Sequence, residues 1–82
     1  MEATEEQLRS LIVERFEIDP ERLRPDTNLV NDLGATSLDV VDLVMTIEER
    51  LGVKIDDAEA ESIRTFRDAV AVVQAKREAR PH

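Results

Sequence analysis

The stretch Asp32-Leu33-Gly34-Ala35-Thr36-Ser37-Leu38-Asp39 marks the point where a loop runs into a strongly patterned helix. Thr36 is followed three residues later by Asp39, a spacing that is typical of a capping box and predicts a helix start. Gly52 supplies a C-terminal stop, because glycine readily adopts the left-handed conformation in which many helices end. These signals predict a helix over residues 37–51.

The apolar residues of this helix form two stripes. At 100° per residue, one stripe lies within about 60° of Val40 and predicts the buried face; its members are Val40, Leu43, Val44, Ile47 and Leu51. A second stripe of Leu38, Val41 and Met45 lies roughly 100–160° from Val40, with carboxylates beside it. Isolated apolar residues are common on protein surfaces. Three in one stripe with a charged rim favour a docking surface for a partner.

The rest of the chain predicts three further helices and one long connection. Hydrophobic periodicity and capping residues place the helices at about residues 4–17, 57–62 and 65–78. The connection, residues 18–36, contains prolines, asparagines and a glycine, and it is long for a compact domain. Five apolar residues along it are expected anchors onto the core: Ile18, Leu23, Leu29, Val30 and Leu33. We therefore expect an all-α chain in which residues 1–82 form a single domain.

The residue inventory argues against a self-contained enzyme. The chain has no cysteine and no tyrosine, and its one histidine, His82, is the last residue. Without cysteine there is neither a disulfide framework nor a thiolate metal site. The acidic run at Asp56, Asp57, Glu59 and Glu61 lacks the spacing of a calcium loop. No catalytic residue and no metal site are expected.

The charge of the chain favours protein partners over nucleic acid. It has 19 acidic and 11 basic side chains and a formal net charge of −8, whereas phosphate binding needs clustered Lys and Arg. Residues 37–63 are the most acidic segment, and we expect them to attract basic surfaces. Neither a long apolar run nor a basic leader is visible, so we expect no membrane span, no secretory signal and a cytoplasmic location.

Ser37 has two possible roles at the head of the predicted helix. It could cap the helix together with Thr36, or it could carry a covalent group. A hydrolytic nucleophile needs an adjacent base and an oxyanion hole, and the chain offers no histidine near Ser37 and no Gly-x-Ser-x-Gly elbow. A phosphate-bearing group fits this position better, because helix N–H groups and the helix dipole stabilise negative charge there by about 0.3–1 kcal/mol.

The residues around Ser37 also carry a specific family resemblance. The run Gly34-Ala35-Thr36-Ser37-Leu38-Asp39-Val40-Val41-Asp42-Leu43-Val44-Met45, followed by Ile47-Glu48-Glu49, resembles the attachment segment of acyl carrier proteins. The likeness extends over nearly the whole chain. It implies a four-helix bundle of three main helices and one short helix, whose serine, here Ser37, receives phosphopantetheine from coenzyme A. Fatty-acid or polyketide intermediates would then be carried as thioesters on the thiol of that arm, by a protein that is not itself an enzyme.

The same resemblance implies two sets of functional residues. Partner enzymes of this family, namely phosphopantetheinyl transferase, ketosynthase, acyltransferase, ketoreductase and dehydratase, approach an acidic helix face. The matching partner-binding positions are Thr36, Leu38, Asp39, Val41, Asp42, Met45, Glu48, Glu49, Asp57 and Glu61. The positions matching the shelter for an acyl chain are Val40, Leu43, Ile47, Ile55, Ile63 and Ala69. Ordinary core packing accounts for this second set equally well. We expect a monomer in isolation.

One position departs from the family pattern. The residue before the modified serine is usually aspartate, and this chain has Thr36. Threonine still suits a helix cap, but one negative charge is missing beside the arm. The departure favours a carrier tuned to particular partners, such as a polyketide or other specialised pathway. Two alternatives stay open from the sequence: an aminoacyl or peptidyl carrier protein, and an unmodified helical adaptor that binds partners through the same acidic face.

Overall fold

The computed structural model describes residues 4–79, which form four α-helices and contain no strand. The helices are α1 (Thr4–Phe16), α2 (Ser37–Leu51), α3 (Asp57–Glu61) and α4 (Phe66–Ala79). A single 3-10 turn, Pro20–Arg22, interrupts the long connection between α1 and α2. The all-α fold predicted from the sequence is confirmed. His82 lies outside the described residues.

The ends of the helices follow from local residue chemistry. Helix α1 ends at Phe16, because the next residue, Glu17, adopts a left-handed conformation with φ 54°. Helix α3 ends at Glu61, and the hydroxyl of Ser62 donates to the carbonyl of Glu59 at 2.7 Å. Helix α4 begins after Thr65, whose hydroxyl accepts from the N–H of Asp68.

The core is built from aliphatic side chains with one fully buried aromatic ring. Phe66 is 1% exposed, whereas Phe16 is only partly buried at the edge of the core. Every main helix contributes, and so does the long connection. The buried cluster consists of Leu8, Leu11, Ile12, Leu23, Leu29, Leu43, Val44, Ile47, Leu51, Val53, Ile55, Ile63, Phe66, Ala69 and Val73. Hydrophobic burial of this set is the main force that holds the helices together.

The long connection is hydrogen-bonded to the start of helix α4. The N–H of Leu29 donates to the carbonyl of Arg64 at 2.8 Å, and the N–H of Phe66 donates to the carbonyl of Thr27 at 3.0 Å. Thr27 is buried, and its hydroxyl donates to the carbonyl of Arg22 at 3.2 Å. These bonds satisfy backbone groups that burial would otherwise leave without partners. They give a long irregular segment one defined path across the bundle.

Arg9 of helix α1 holds the first half of the connection. Its guanidinium donates to the carbonyls of Pro20 and Leu23, at 3.1 and 2.5 Å. The same guanidinium lies 5.1 Å from the centre of the Phe66 ring, a distance at which a cation is attracted to the face of the ring. One side chain therefore joins α1, the connection and α4.

The prediction that five apolar residues anchor the connection onto the core is correct in part. Leu23 and Leu29 are 2% and 1% exposed. Val30 is 48% exposed, so the prediction that it anchors the core is wrong. The reason is the tight turn that starts at Asn28, whose side-chain oxygen accepts from the N–H of Val30 at 2.9 Å. In that turn Leu29 and Leu33, four residues apart, face the core together, and the residue after Leu29 points outward.

None of the helices within residues 4–79 is long and apolar enough to cross a bilayer.

The buried and exposed faces of helix α2 can be compared with two variants. Ile47 is fully buried and Val41 is 53% exposed on the same helix. We expect Ile47→Ala to lower the free energy of unfolding by about 2–5 kcal/mol, because it removes buried methyl groups and leaves a cavity. Val41→Ala should change it by no more than about 0.5 kcal/mol. Urea unfolding followed by circular dichroism measures both, and equal losses would contradict the assignment of the two faces.

Candidate functional site

The approach to helix α2 depends on a backbone turn at Gly34. This glycine has φ 72°, a left-handed conformation that a side chain disfavours. An added Cβ would meet nothing within 4 Å, so the backbone angle, and not a lack of space, calls for glycine. The next residue, Ala35, is 4% exposed, and its N–H donates to the carbonyl of Leu29 at 3.1 Å. The segment just before Ser37 is thereby fastened to the bundle.

Thr36, and not Ser37, caps helix α2. The hydroxyl of Thr36 accepts from the N–H of Asp39 at 3.2 Å, and the carboxylate of Asp39 accepts from the N–H of Thr36 at 3.0 Å. This reciprocal pair is the capping box that the sequence predicts. Ser37 is therefore the first residue of the helix, and its side chain is exposed. None of the hydrogen bonds found within residues 4–79 uses its hydroxyl.

The environment of Ser37 suits an acceptor of a phosphate-bearing group. Ser37 lies at the positive end of a 15-residue helix, where backbone N–H groups point outward and favour an anion. Because the described part of the chain contains no histidine, no imidazole base activates the hydroxyl there. The helix terminus therefore suits a serine that bears an anionic group.

The capping box also fixes the charge state of Asp39. The hydrogen bond from the backbone N–H of Thr36 lowers the pKa of Asp39 below its usual value, and the Thr36 hydroxyl and the charge of Arg15 act in the same direction. Thr65 and Asp68 form the same reciprocal pair of hydrogen bonds at the start of α4. Burial alone would raise the pKa of Asp68, but N–H donors from Thr65 and Arg64 outweigh it and lower that pKa.

Helix α2 presents an apolar ridge to solvent, as its periodicity predicts. Leu38 is 77% exposed, and Val41 and Met45 are each 53% exposed. We call these three residues the α2 ridge. The opposite face of the helix packs into the core through Leu43, Val44, Ile47 and Leu51. An exposed apolar stripe of this kind on a small protein is typical of an interaction surface.

The carboxylates along helix α2 differ in whether they already have partners within the chain. Asp39 is bound in the capping box, and Asp42 forms an ion pair with Arg15 of α1 at 2.5 Å. Glu48 is half-buried, and its Oε2 accepts from the N–H of Ile55 at 2.8 Å. Glu49 is exposed, and no hydrogen bond or ion pair within the described chain occupies its carboxylate.

Sequence reasoning missed two of these contacts. Arg15 is a last-turn residue of α1, and nothing in its local pattern indicates that it reaches the α2 surface. The bond between Glu48 and Ile55 joins residues seven apart, beyond helical spacing, so periodicity does not reveal it. The outlying predicted contacts, Asp57 and Glu61, are exposed on helix α3.

The residues predicted to shelter an acyl chain are closely packed in this structure. Leu43, Ile47, Ile55, Ile63 and Ala69 are buried members of the core, and Val40 is partly buried against it. A surface groove lies elsewhere, between α1 and the end of α2, and is lined by polar residues as well as by Leu11 and Leu51. A chain entering among the six residues would have to displace neighbouring side chains. Their role as an acyl site stays a prediction.

Comparison with known proteins agrees with this geometry. Residues 6–73 match a family model described as a phosphopantetheine attachment site. The chain is 40% identical over 74 residues to an acyl carrier protein of Helicobacter hepaticus, covering 90% of this chain and 97% of that protein. It is 41% identical over 69 residues to an acyl carrier protein of Campylobacter hominis, covering 84% of this chain and 87% of that protein.

The cap of helix α2 can be tested without touching Ser37. We expect Thr36→Ala to lower the free energy of unfolding by about 0.5–2 kcal/mol, because the N–H of Asp39 loses its acceptor. Thr36→Asp is the matched control, since aspartate is an equally good cap, and it should leave stability close to that of the wild type. Chemical denaturation of the three proteins checks this. Equal stability of the alanine and aspartate variants would contradict the assignment of Thr36 as the cap.

The lowered pKa of Asp39 predicts a contribution to acid stability. Its charged form is favoured in the folded state, so the contribution is complete above the usual aspartate pKa of about 3.9. It is lost as the pH falls through the lower folded value. We expect Asp39→Asn to flatten the dependence of unfolding free energy on pH below about pH 5, where an aspartate begins to titrate. If the unfolding free energy of Asp39→Asn depends on pH in this range as steeply as that of the wild type, folding does not lower the pKa of Asp39.

Proposed function

Because the chain belongs to the acyl carrier protein family and contains the family's phosphopantetheine attachment domain, we propose that Ser37 is the residue that bears the arm. One observation supports this proposal more than any other. Thr36 takes over the capping of helix α2, which leaves the Ser37 hydroxyl exposed at the positive end of the helix.

The residues around Ser37 fit a phosphodiester group. The hydroxyl is exposed, so a transferase can reach it, and the segment before it is fastened through Ala35 to the bundle. The bound arm supplies a thiol, which the cysteine-free chain lacks and which acyl chains need to form thioesters. The helix terminus favours the phosphodiester charge, whereas the carboxylate of Asp39 opposes it slightly. The protein carries acyl chains, and we propose that partner enzymes perform all the chemistry.

We propose that the α2 ridge, with Glu49, Asp57 and Glu61 around it, is the face that these partners meet. The apolar side chains of Leu38 and Met45 offer area that is buried on association, and the carboxylates attract basic partner surfaces. The expected partners are phosphopantetheinyl transferase, ketosynthase and the other synthase enzymes. The chain has Thr36 where the family usually has aspartate, which supports partners other than those of general fatty acid synthesis.

A peptidyl carrier and an unmodified adaptor are the competing functions. A peptidyl carrier shares the arm but receives aminoacyl groups, so loading with acyl or aminoacyl substrates separates it from an acyl carrier. An unmodified adaptor uses the α2 ridge alone and never receives the arm.

The attachment residue is tested by intact mass after incubation with coenzyme A and a phosphopantetheinyl transferase. We expect one added phosphopantetheine on the wild type and none on Ser37→Ala. Ser62→Ala is the matched control, because Ser62 is also exposed but follows helix α3 instead of heading a helix, and it should be modified at the wild-type level. An arm on Ser37→Ala, or an unchanged mass with several transferases, would overturn the proposal.

The docking face is tested by ketosynthase kinetics with the loaded protein. We expect Met45→Ala and Glu49→Lys each to lower kcat/KM by roughly tenfold, since contacts of this kind contribute on the order of 1 kcal/mol or more. Glu6→Lys on helix α1 is the charge-matched control and should leave kcat/KM unchanged. Glu48→Lys is a poorer probe, because it also removes the hydrogen bond to Ile55. Wild-type kinetics for both Met45→Ala and Glu49→Lys would assign docking to another face.

A further inference from the structure

Helix α1 places one cation beside the docking face proposed above. Nη2 of Arg15 donates a hydrogen bond to Oδ2 of Asp42 at 2.5 Å, and Asp42 directly follows Val41 of the α2 ridge. Arg15 is in the last turn of α1, 27 positions before Asp42. The two side chains are 39% and 59% exposed, and ion pairs so accessible to water contribute little to stability. The pair therefore affects the charge of this surface more than the stability of the fold.

The charge of Arg15 also acts on the carboxylate of Asp39. The backbone hydrogen bond from Thr36 is the largest cause that lowers the pKa of Asp39, and the positive charge of Arg15 acts in the same direction. Residues 37–42, which we call the Ser37 end of α2, contain Asp39 and Asp42 and no other carboxylate. One is bound in the capping box and the other in an ion pair. Both carboxylates of the Ser37 end are thus occupied within the chain.

The far end of the docking face has carboxylates without such partners. Glu49 is exposed and lies about 18 Å from Ser37 along the helix axis, at 1.5 Å per residue. Asp57 and Glu61 are exposed on α3. In the described part of the chain, none of these three carboxylates forms an ion pair. Lys54 borders the same groove as Glu49, but three carboxylates outweigh this one cation. We call these three carboxylates the acidic end.

We propose that Arg15 is a specificity residue of the docking face, because it leaves only the acidic end free to bind the cations of a partner. This proposal rests on the proposed attachment at Ser37 and on the proposed docking face. An enzyme that acts on the arm must bring its entrance to Ser37, where the apolar side chains of Leu38 and Val41 are exposed. The partner that fits has an apolar entrance, and its basic residues lie about 18 Å away, against Glu49.

Arg15 also disfavours one class of partner. A cation at the entrance of an enzyme would lie near Arg15 and would have to compete with it for Asp42. Like charges about 7 Å apart disfavour association by roughly threefold in bulk water, and by more beside a protein surface. Thr36 acts in the same direction, because it adds no negative charge next to Ser37. Partners with a basic entrance are therefore bound less well than partners with an apolar one.

Arm transfer tests this role, because a phosphopantetheinyl transferase must bring coenzyme A to Ser37 whatever else it contacts. The probe is a transferase that has a lysine or arginine at its entrance, and kcat/KM is measured at low and high salt. We expect Arg15→Gln to raise kcat/KM at low salt by roughly threefold to tenfold, through a lower KM, since Asp42 is then free to meet the entrance cation. The gain should vanish at about 1 M salt, where the Debye length is about 3 Å.

Arg50→Gln is the matched control. Arg50 is exposed on α2, pairs with Glu14 of α1 at 3.7 Å, and lies about 20 Å from Ser37 along the helix axis. Its replacement changes the net charge by the same amount and also breaks an ion pair between α1 and α2. We expect kcat/KM to stay within about twofold of the wild type, because the site lies beyond the Debye length. Arg15→Lys keeps the positive charge and should restore the wild-type value.

A double-mutant cycle separates the charge effect from any structural change in the carrier. With the entrance cation of the transferase replaced by alanine, Arg15→Gln should no longer alter kcat/KM. A gain that persists with this transferase, or at high salt, would show that Arg15 acts through the fold and would overturn the proposal. Equal effects of Arg15→Gln and Arg50→Gln would overturn it as well, because net charge alone would then explain the change.

Failure of the specificity role and failure of the carrier function give different results. If neither the wild type nor any variant receives the arm, the attachment at Ser37 is wrong and the role of Arg15 falls with it. If the wild type and Arg15→Gln receive the arm with the same kcat/KM at low salt, the carrier function stands and Arg15 does not determine specificity.

Discussion

Two reciprocal hydrogen bonds between Thr36 and Asp39 determine where helix α2 begins, and the position of Ser37 follows from them. The four N–H groups at the start of a helix need acceptors, and Thr36 satisfies one of them. If Ser37 were the cap, its hydroxyl would be occupied and the helix would start one residue later. Because Thr36 holds that position, Ser37 is exposed on the first turn of the helix, as the proposed attachment requires.

The capping box can fix Ser37 in space only because the preceding connection is itself fixed. Leu29 is central to that connection: its side chain is buried, its N–H donates to Arg64, and its carbonyl accepts from Ala35. These bonds run from the start of helix α4 to the residue just before Thr36. The length of the connection alone would suggest that it is loose. Its hydrogen bonds instead hold Ser37, the proposed attachment residue, against the bundle.

Periodicity and capping rules could predict much of this structure, and their failures have two physical causes. The two faces of α2 and the cap at Thr36 follow from residues within one or two helical turns, where side-chain spacing is set by the helix itself. Val30 was misassigned because the turn that starts at Asn28 directs it outward. The bond from Glu48 to Ile55 and the ion pair from Arg15 to Asp42 depend on how separate segments meet. Such contacts are set by packing, which a local pattern does not encode.

The central claim is that Ser37 alone bears the arm, and fragmentation of the modified wild-type protein tests it most directly. The protein is loaded by a phosphopantetheinyl transferase, digested, and sequenced by tandem mass spectrometry. The account predicts one phosphopantetheine, localised by flanking fragment ions to Ser37, with Thr36 unmodified and still serving as the cap. An arm found on Thr36, Ser10 or Ser62 would contradict the account.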